Sequence, residues 1–217
     1  MEYVLGLDLG TGSLKGLLVD NNGNIVAEES ASYPLLTPAF GYSEQEPAEW
    51  TSAAEKVIKR ILEKVPEAKT ATKGISFSGQ MHSLVLLDKN NNVLRNAILW
   101  NDVRTTAQCR TITDKLGEKL INITKNKALE GFTLPKILWV KENEPSIFEK
   151  ADRFLLPKDY LGFWLTGNKQ MEYSDAAGTL LLDIENKAWS DEVLDAFEIS
   201  KSICPKLVES SDFIGNV

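Results

Sequence analysis

The chain has 217 residues, with 24 Lys and Arg against 31 Asp and Glu, a net charge of −7, 43% hydrophobic and 25% charged residues. These values describe a globular protein with enough apolar residues for a core, and they exclude an intrinsically disordered chain. The acidic balance disfavours nonspecific binding to nucleic acid or to an anionic membrane, because both demand a basic surface. Any phosphate group would have to be held by local geometry.

The cysteines, Cys109 and Cys204, lie far apart, and the sequence contains no CxxC motif and no Cys/His cluster. This pattern indicates neither a zinc site nor a disulfide framework and is typical of a reducing environment. The N-terminal segment MEYVLGLDLG lacks the basic and long apolar parts of a signal peptide, and no stretch approaches the roughly 18 apolar residues of a membrane span. We expect a cytoplasmic protein without a membrane anchor.

The first third of the chain reads as three strands, a helix and further strands. Apolar runs and turn residues predict antiparallel strands over 3–8, 14–20 and 25–33. NNGN at 21–24 is a strong turn signal, since Asn and Gly accept positive φ. A helix is predicted from Pro47 to just before Pro66, because apolar residues recur there at a spacing of three and four. Strands at 72–79 and 83–88 follow, which favours an α/β fold with a mixed sheet.

After Arg104 the pattern becomes mainly helical. Helices are predicted over 105–120, 134–145, 157–166 and 190–199. Gly167 would close the third of them and Ser190 would cap the fourth. Residues 171–189 are typical of a turn followed by a strand, and 204–217 show no further element. Without a repeat or a linker, we expect one continuous domain with helical insertions.

The segment DLGTGSLK, at residues 8–15, is the most informative stretch. Gly10 and Gly12 allow a tight backbone with positive φ, and successive amide groups in such a loop can point at one anion. Asp8 could hold Mg²⁺, because hard cations prefer carboxylate and phosphate oxygens. The candidate phosphate-binding residues are Gly10, Thr11, Gly12, Ser13 and Lys15.

Two better-known glycine motifs do not fit this segment. A phosphate loop of the GxxxxGK[ST] type requires a Gly-Lys pair, and the sequence has none. The dinucleotide fingerprint GxGxxG nearly matches, but its third position is Lys15, and the residues that follow favour a strand where the fingerprint opens a helix. A plain hairpin turn preceded by an aspartate is the remaining alternative.

Six segments together resemble one enzyme family. DxGTxS at the N-terminus resembles the first phosphate loop of the actin, hexokinase and Hsp70 superfamily. GQMHSLVLLD (79–88), ILWNDVRT (98–105), GFTLPKILWV (131–140), LLPKDYL (155–161) and YSDAAGT (173–179) then resemble, in order and wording, the xylulokinases of the FGGY carbohydrate kinase family. The resemblance covers essentially the whole chain. Five motifs in the same order identify a family more specifically than any single motif does.

The resemblance implies an actin-like ATPase, or ribonuclease H-like, fold forming the first of two domains of a sugar kinase. It also implies ATP-dependent phosphorylation of the 5-OH of D-xylulose, with ATP and Mg²⁺ as cofactors. Asp8 matches the catalytic position beside the phosphates and Mg²⁺, with the metal held directly or through water. Ser83 replaces the glycine that usually follows the Met-His pair. The residues that match the family's sugar pocket are Met81, His82, Trp100, Asp102 and Arg104.

Each candidate also has a plainer interpretation. His82 is the only histidine, and it could cap the turn between two strands. Trp100 could belong to the core, and Asp102 and Arg104 could pair with each other on the surface, where such a pair contributes little. Asp175 in YSDAAGT could serve as a base, or as an ordinary turn or helix cap.

Phosphoryl transfer to a hydroxyl also needs a base, which the family places in a Gly-Gly-Gly-Asp-Asn type segment of its second domain, together with the adenine site. No such string occurs in residues 1–217. We therefore expect the N-terminal domain of a larger kinase, inactive by itself. A gluconokinase-like member of the family and a noncatalytic sugar-binding module are the alternatives, and a chaperone- or filament-like protein ranks last. A homodimer is left open.

Overall fold

The computed structural model describes residues 1–217, which divide into two compact units. The first unit comprises Met1–Leu35 and Glu46–Gln80, and the second comprises Leu36–Gln45 and Met81–Val217. One continuous domain stays a prediction of the sequence, in which no linker composition marks the points where the chain passes from one unit to the other.

The elements follow the chain in this order. The strands are β1 (Tyr3–Leu9), β2 (Ser13–Asp20), β3 (Ile25–Ser32), β4 (Glu44–Gln45), β5 (Thr72–Gly79), β6 (Val85–Leu87), β7 (Ala97–Ile98), β8 (Arg153–Leu155), β9 (Gln170–Glu172), β10 (Leu182–Asp183), β11 (Ala188–Trp189) and β12 (Lys206–Val208). The α-helices are α1 (Pro47–Lys64), α2 (Ala68–Ala71), α3 (Thr106–Leu116), α4 (Glu118–Thr124), α5 (Thr133–Asn143), α6 (Pro145–Phe148), α7 (Pro157–Thr166), α8 (Tyr173–Ala177) and α9 (Asp191–Ala196), with a 3₁₀ turn at Lys201–Ile203. No helix combines the length and the apolar character that a membrane crossing requires.

The first unit is a four-stranded mixed sheet with strand order β3-β2-β1-β5. β1, β2 and β3 run antiparallel, and β5 pairs parallel with β1. The three opening strands, the helix at 47–64 and the strand at 72–79 are confirmed. Gly23, in the turn between β2 and β3, has φ +86°, as the NNGN signal predicts.

One face of this sheet packs against α1. Alternate residues of β1 and β2 are buried, as the period of two in a strand requires. The buried face of α1 consists of Trp50, Ala53, Ala54, Val57 and Ile61, together with Pro47. Gly16 lies where the helix approaches most closely, since a Cβ there would stand 2.4 Å from Val57 Cγ1. Glycine at this position lets α1 lie flat on β2.

The second unit is mainly helical, with four two-stranded pairings: β4 with β7, β6 with β8, β9 with β12, and β10 with β11. Its core joins apolar residues from β6, α3, α5, α8 and α9, with Phe154, Leu156 and Met171 fully buried among them. Gly167 ends α7 with φ +75°, and the Ser190 side chain accepts a hydrogen bond from the Val193 amide, so both predicted caps are confirmed.

Three predictions for the second unit are wrong. The helix predicted over 105–120 breaks at Gly117, whose φ is +51°, into α3 and α4. Residues 171–189, predicted as a turn followed by a strand, contain the end of β9, the short helix α8 and the β10–β11 pair. The final segment contains β12, which pairs parallel with β9. Strands of two or three residues are too short to show a period, so only their tertiary pairing defines them.

Candidate functional site

The predicted site residues fall into two sets, one in each unit. The glycine loop and Asp8 belong to the first unit, and the Met81–His82 pair with the segment after Trp100 belongs to the second.

The glycine loop closes the β1–β2 hairpin through a hydrogen bond from the Gly10 amide to the Ser13 carbonyl, 3.0 Å long. Neither Gly10 nor Gly12 uses the positive φ that glycine allows. A Cβ on Gly10 would instead lie 3.2 Å from the Ser13 carbonyl oxygen, while one on Gly12 would meet nothing within 4 Å. Close approach of two backbone segments explains glycine at the first position.

Tyr33 anchors this loop from the end of β3. Its hydroxyl donates to the Gly10 carbonyl, and its amide donates to the Gly12 carbonyl at 3.4 Å. Burial, with the charge of Asp8 as a second cause, raises the pKa of Tyr33, so the phenol stays a donor at physiological pH. The sequence interpretation missed this residue, since only the fold brings it to the loop.

Asp8 is the exposed carboxylate of β1, with buried Leu7 and Leu9 on the opposite face. Its Oδ1 accepts a hydrogen bond of 2.7 Å from the Ser78 hydroxyl on the neighbouring strand β5. Lys15 stands opposite Asp8 in the β1–β2 register but pairs with Glu28, at 2.7 Å. Because both members of that pair are about half exposed, it contributes little and competes weakly with a bound phosphate.

The Asp8 site fits Mg²⁺ only when the ion is bound together with a nucleotide. No group of three or more His, Cys, Asp or Glu side chains is arranged to hold a metal. Mg²⁺ bound with a nucleotide usually takes one or two protein carboxylates and fills its remaining positions with water and phosphate oxygens. The exposed Asp8 carboxylate suits that mode, whereas an all-protein cage is not available.

In the second unit, the Met81–His82 pair lies in a strained turn. The Ser83 amide donates to the Met81 carbonyl at 2.7 Å, and His82 between them has φ +63°. This i to i+2 hydrogen bond about a positive φ is a γ-turn of the rare, costly kind. Such strain persists only where the surroundings fix it, and it is commonest at binding and catalytic sites.

The surroundings of His82 come from two distant parts of the chain. Phe132 stacks on the imidazole with ring centroids 4.8 Å apart, and Thr133 donates its hydroxyl to the His82 carbonyl at 2.9 Å. On another side lies Gly178, where a Cβ would come within 2.4 Å of the ring atoms Cδ2 and Nε2. A hydrogen bond joins the imidazole to the Gly131 backbone. We call these contacts the His82 cradle.

Burial, and then the charge of Lys136, lower the pKa of His82 to about 4, although its bond to Gly131 acts in the opposite direction. The imidazole is therefore neutral at physiological pH. Because the Gly131 bond favours the protonated ring, the ring nitrogen donates and the carbonyl accepts. In a neutral imidazole the other nitrogen is then an acceptor.

We expect the single histidine to titrate near pH 4 when the chain is followed by proton NMR, and near its ordinary value of 6.5 after denaturation in urea. Between these values the unfolded chain binds more protons, so this group's contribution to stability rises with pH by about 1–2 kcal/mol, discounted for the ring's partial exposure. Burial also raises the pKa of Asp159, and the contribution of that carboxyl to stability changes with pH in the opposite direction. The pH dependence of stability combines the two effects, so the measurement is the titration of the His82 resonance itself. A midpoint at pH 6 or above would contradict the cradle.

Trp100 is 40% exposed, and Met81 is 43% exposed. The Trp100 amide donates to the Ser83 hydroxyl at 3.0 Å, and that hydroxyl in turn donates to the Met81 carbonyl at 3.3 Å. Ser83, fully buried, therefore ties the γ-turn to the segment that carries Trp100. The interpretation of Trp100 as a core residue is wrong.

Asp102 and Arg104 do pair with each other, but inside the protein rather than on its surface. Asp102 is 0% exposed and accepts from the Arg104 guanidinium at 2.7–3.0 Å and from the Ser43 amide at 2.6 Å. The guanidinium also pairs with Glu44 at 2.7 Å and lies between two aromatic rings, 3.7 Å from the centroid of Tyr42 and 4.8 Å from that of Trp139. This buried pair fixes the loop after Trp100, and direct sugar contact by it stays a prediction.

Asp175 lies in the first turn of α8, where the Glu172 side chain supplies the cap. Its carboxylate pairs with Lys158 at 3.2 Å, and Lys158 also bonds Asp159 at 2.8 Å. Asp175 is thus part of a buried ion cluster that holds α7 and α8 together, and the Ser-Asp pair is not itself the cap.

Most of the missed site residues lie inside the segments that carry the resemblance: Gly131, Phe132, Thr133 and Lys136 in GFTLPKILWV, and Gly178 in YSDAAGT. Their motif membership was visible in the sequence. Their contact with His82 was not, because it depends on tertiary packing between segments far apart in the chain.

The mixed sheet, the hairpin loop with its leading aspartate and the attached helical unit define a mixed α/β protein with the actin-like ATPase fold of sugar kinases. The crystal structure of a xyloylose kinase from Brucella ovis matches 99% of the chain with a TM-score of 0.95 and 40% identity, and that of a gluconate kinase from Lactobacillus acidophilus matches 98% with a TM-score of 0.92 and 30% identity. The chain covers 44% and 43% of those chains.

Residues 3–217 match the N-terminal domain of the FGGY family of carbohydrate kinases, and the chain belongs to this family. It is 58% identical over 217 residues to a xylulose kinase from Lactococcus lactis. The match includes all of this chain and 43% of that relative, so the chain spans less than half of the relative's length.

Proposed function

We propose that this chain is the N-terminal domain of a kinase that transfers the γ-phosphoryl group of ATP to the 5-OH of D-xylulose, giving D-xylulose 5-phosphate. The observation that carries the proposal is the His82 cradle, which holds a neutral imidazole in the turn that also carries the exposed Met81 and that Ser83 ties to the segment of the exposed Trp100. A neutral imidazole with a free acceptor suits a polyhydroxylated ligand, and apolar walls suit its carbon skeleton.

In this proposal the first unit supplies the phosphate end of the reaction. The Asp8 carboxylate, held by Ser78, would bind Mg²⁺ directly or through water, and the Gly10–Ser13 loop would lie near the transferred group. The metal, when bound with ATP, neutralises phosphate charge. Sugar binding would fall to Met81, His82 and Trp100, with Asp102 and Arg104 holding the loop that presents Trp100.

A general base and an adenine site are also required, and we place both in the remainder of a longer protein. The basis is the length of the relatives, of which the chain spans 43% in the Lactococcus lactis case. Transfer to a hydroxyl requires the base, the phosphates and the acceptor to be positioned together, so one domain would not suffice. Two buried, free thiols fit the cytoplasmic setting in which we place the protein.

We expect purified residues 1–217 to show no turnover of ATP with D-xylulose, and the whole protein to phosphorylate it. A coupled assay for ADP formation measures both, with D-gluconate and glycerol as comparison substrates. The sharpest contradiction would be a rate from this chain close to that of the whole protein. A second candidate function is that of a gluconate kinase, which rests on the match to the Lactobacillus acidophilus gluconate kinase. A higher kcat/KM for D-gluconate than for D-xylulose would favour it.

A noncatalytic sugar-binding module is the remaining alternative. Titration calorimetry of this chain with D-xylulose measures binding without turnover. An inactive whole protein that still binds D-xylulose would establish that alternative and remove the kinase proposal.

A further inference from the structure

Lys136 is a lysine that no proposed step uses, and its position is unusual. Its side chain is completely buried, in the first turns of α5. An ammonium near a helix N-terminus opposes the helix dipole, and a buried charge loses its hydration. Burial accordingly lowers the pKa of Lys136 to about 7. Such a costly placement needs strong local compensation.

The compensation comes from three successive carbonyl groups in the loop before α5. The Lys136 ammonium donates to the carbonyls of Glu130, Gly131 and Phe132, at 2.8, 2.7 and 2.8 Å. An ammonium has three N–H donors, so these bonds use them all. Fully buried and fully bonded, Lys136 has no capacity to contact a substrate, and its effect must pass through this loop.

The same loop carries two contacts of the His82 cradle. Phe132 stacks on the imidazole, and the Gly131 carbonyl accepts from it. That carbonyl therefore receives both the ammonium and the ring. Three carbonyls that would otherwise repel one another are held on one side of the loop by a single cation, and this conformation aims the Gly131 oxygen at the ring.

We propose that Lys136 is a positioning residue, which gathers the carbonyls of 130–132 so that Gly131 fixes the orientation and the tautomer of His82. The consequence for binding rests on the function proposed above, whereas the structural effect does not. One ring nitrogen is committed to Gly131, so the other is a permanent acceptor. The sugar would then meet the same hydrogen-bonding pattern in every molecule.

Other charges also act on Lys136, and the test must separate them. Asp102 and Glu130 carry negative charge close to the ammonium, Arg104 carries positive charge, and the Cys109 thiol is a titratable neighbour. All of them remain in place when only residue 136 is changed. On the imidazole itself, Lys136 is the charged group that shifts the pKa.

The test is nitrogen-15 NMR of the imidazole at pH 6 in this chain, where Lys136 is mostly protonated, the ring is neutral and the single histidine makes assignment unambiguous. We expect a single tautomer with a slowly exchanging ring N–H in the wild-type chain. In Lys136→Met we expect a mixture of both tautomers and loss of the slow exchange. Lys141→Met is the matched control, because Lys141 lies on the same helix and its ammonium also donates to backbone carbonyls, those of Phe197 and Glu198. It should leave the spectrum unchanged.

Two further comparisons keep the proposal open to refutation if Lys136→Met does not fold. A wild-type chain that shows two exchanging tautomers overturns it without any variant. Lys136→Arg, which keeps the charge and donors, should retain the single tautomer, and a tautomer mixture in that folded variant would also count against the proposal.

Kinetics of the whole protein separate this inference from the proposed function. Lys136→Met should raise the KM for D-xylulose by up to about tenfold, with kcat changed less than about twofold. A changed tautomer with an unchanged KM would contradict the role of His82 in sugar binding while leaving the positioning role intact. An unchanged tautomer overturns the positioning role whatever the kinetics show.

Discussion

Asp8→Asn in the whole protein is expected to lower kcat by about 100-fold or more while changing the KM for the sugar less than about threefold. The substitution keeps the size of the side chain and an oxygen that accepts from Ser78. It removes the negative charge that would attract Mg²⁺ beside the phosphates. The loss of rate should therefore fall on the phosphoryl-transfer step, in which negative charge redistributes among the phosphate oxygens.

His82→Gln is expected to show the reverse partition, with the KM for the sugar raised about tenfold and kcat affected less.

Glu28→Gln is the control for Asp8→Asn, because it removes a negative charge from the same sheet. Glu28 is exposed and pairs only weakly with Lys15. The substitution should leave both constants within about twofold. Steady-state kinetics with both substrates varied measure all three variants, and exchanged effects for Asp8 and His82 would overturn the assignment of Asp8 to the phosphates and of His82 to the sugar.

Gly16→Ala is expected to lower the free energy of unfolding by about 1–3 kcal/mol. The added methyl group would stand 2.4 Å from Val57 Cγ1 and 3.1 Å from Ile61 Cδ1, so α1 must shift away from β2. The shortest of these contacts is with Val57, which is fully buried and branched at Cβ, so its Cγ1 has little freedom to move aside. Urea unfolding followed by circular dichroism measures the change.

Gly74→Ala is the matched control, because its Cβ would meet nothing within 4 Å and its φ is not positive. Its stability should equal that of the wild type or exceed it by a few tenths of a kcal/mol, since alanine restricts the unfolded chain. Val57→Ala combined with Gly16→Ala should cost less than the sum of the two single changes. Simple additivity, or a harmless Gly16→Ala, would refute the close packing of α1 on β2.

Much of the first unit was predictable, and the reasons are local. The alternation in β1 and β2, Gly23 in its turn and Pro47 at the start of α1 each determine structure within a few residues. The sequence also located the loop at Gly10 but did not show why glycine stands there, because the approach of the Ser13 carbonyl depends on how the hairpin closes.

The second unit shows what local patterns leave out. The spacing of Asp102 and Arg104 indicates a pair, but burial comes from Tyr42, Glu44 and Trp139, which arrive from elsewhere in the chain. The same holds for His82, where the motif marks the residue, and burial together with the charge of Lys136 decides its protonation. Sequence reasoning thus identified candidates, and tertiary contacts determined their chemistry.

The buried ion pairs of Arg104 with Asp102 and Glu44 limit how this part of the protein can evolve. Arg104 is the cation that pairs with the fully buried Asp102, so its removal leaves that carboxylate without a counter-charge, whereas Glu44 keeps its pair with Arg95. Such a loss costs about 3–5 kcal/mol, a large fraction of a domain's stability, whereas replacing a whole set by apolar residues is often harmless. Lysine in place of Arg104 would lose the paired bonds to Asp102 and the stacking between rings. Divergence here is expected through several simultaneous substitutions rather than through single steps.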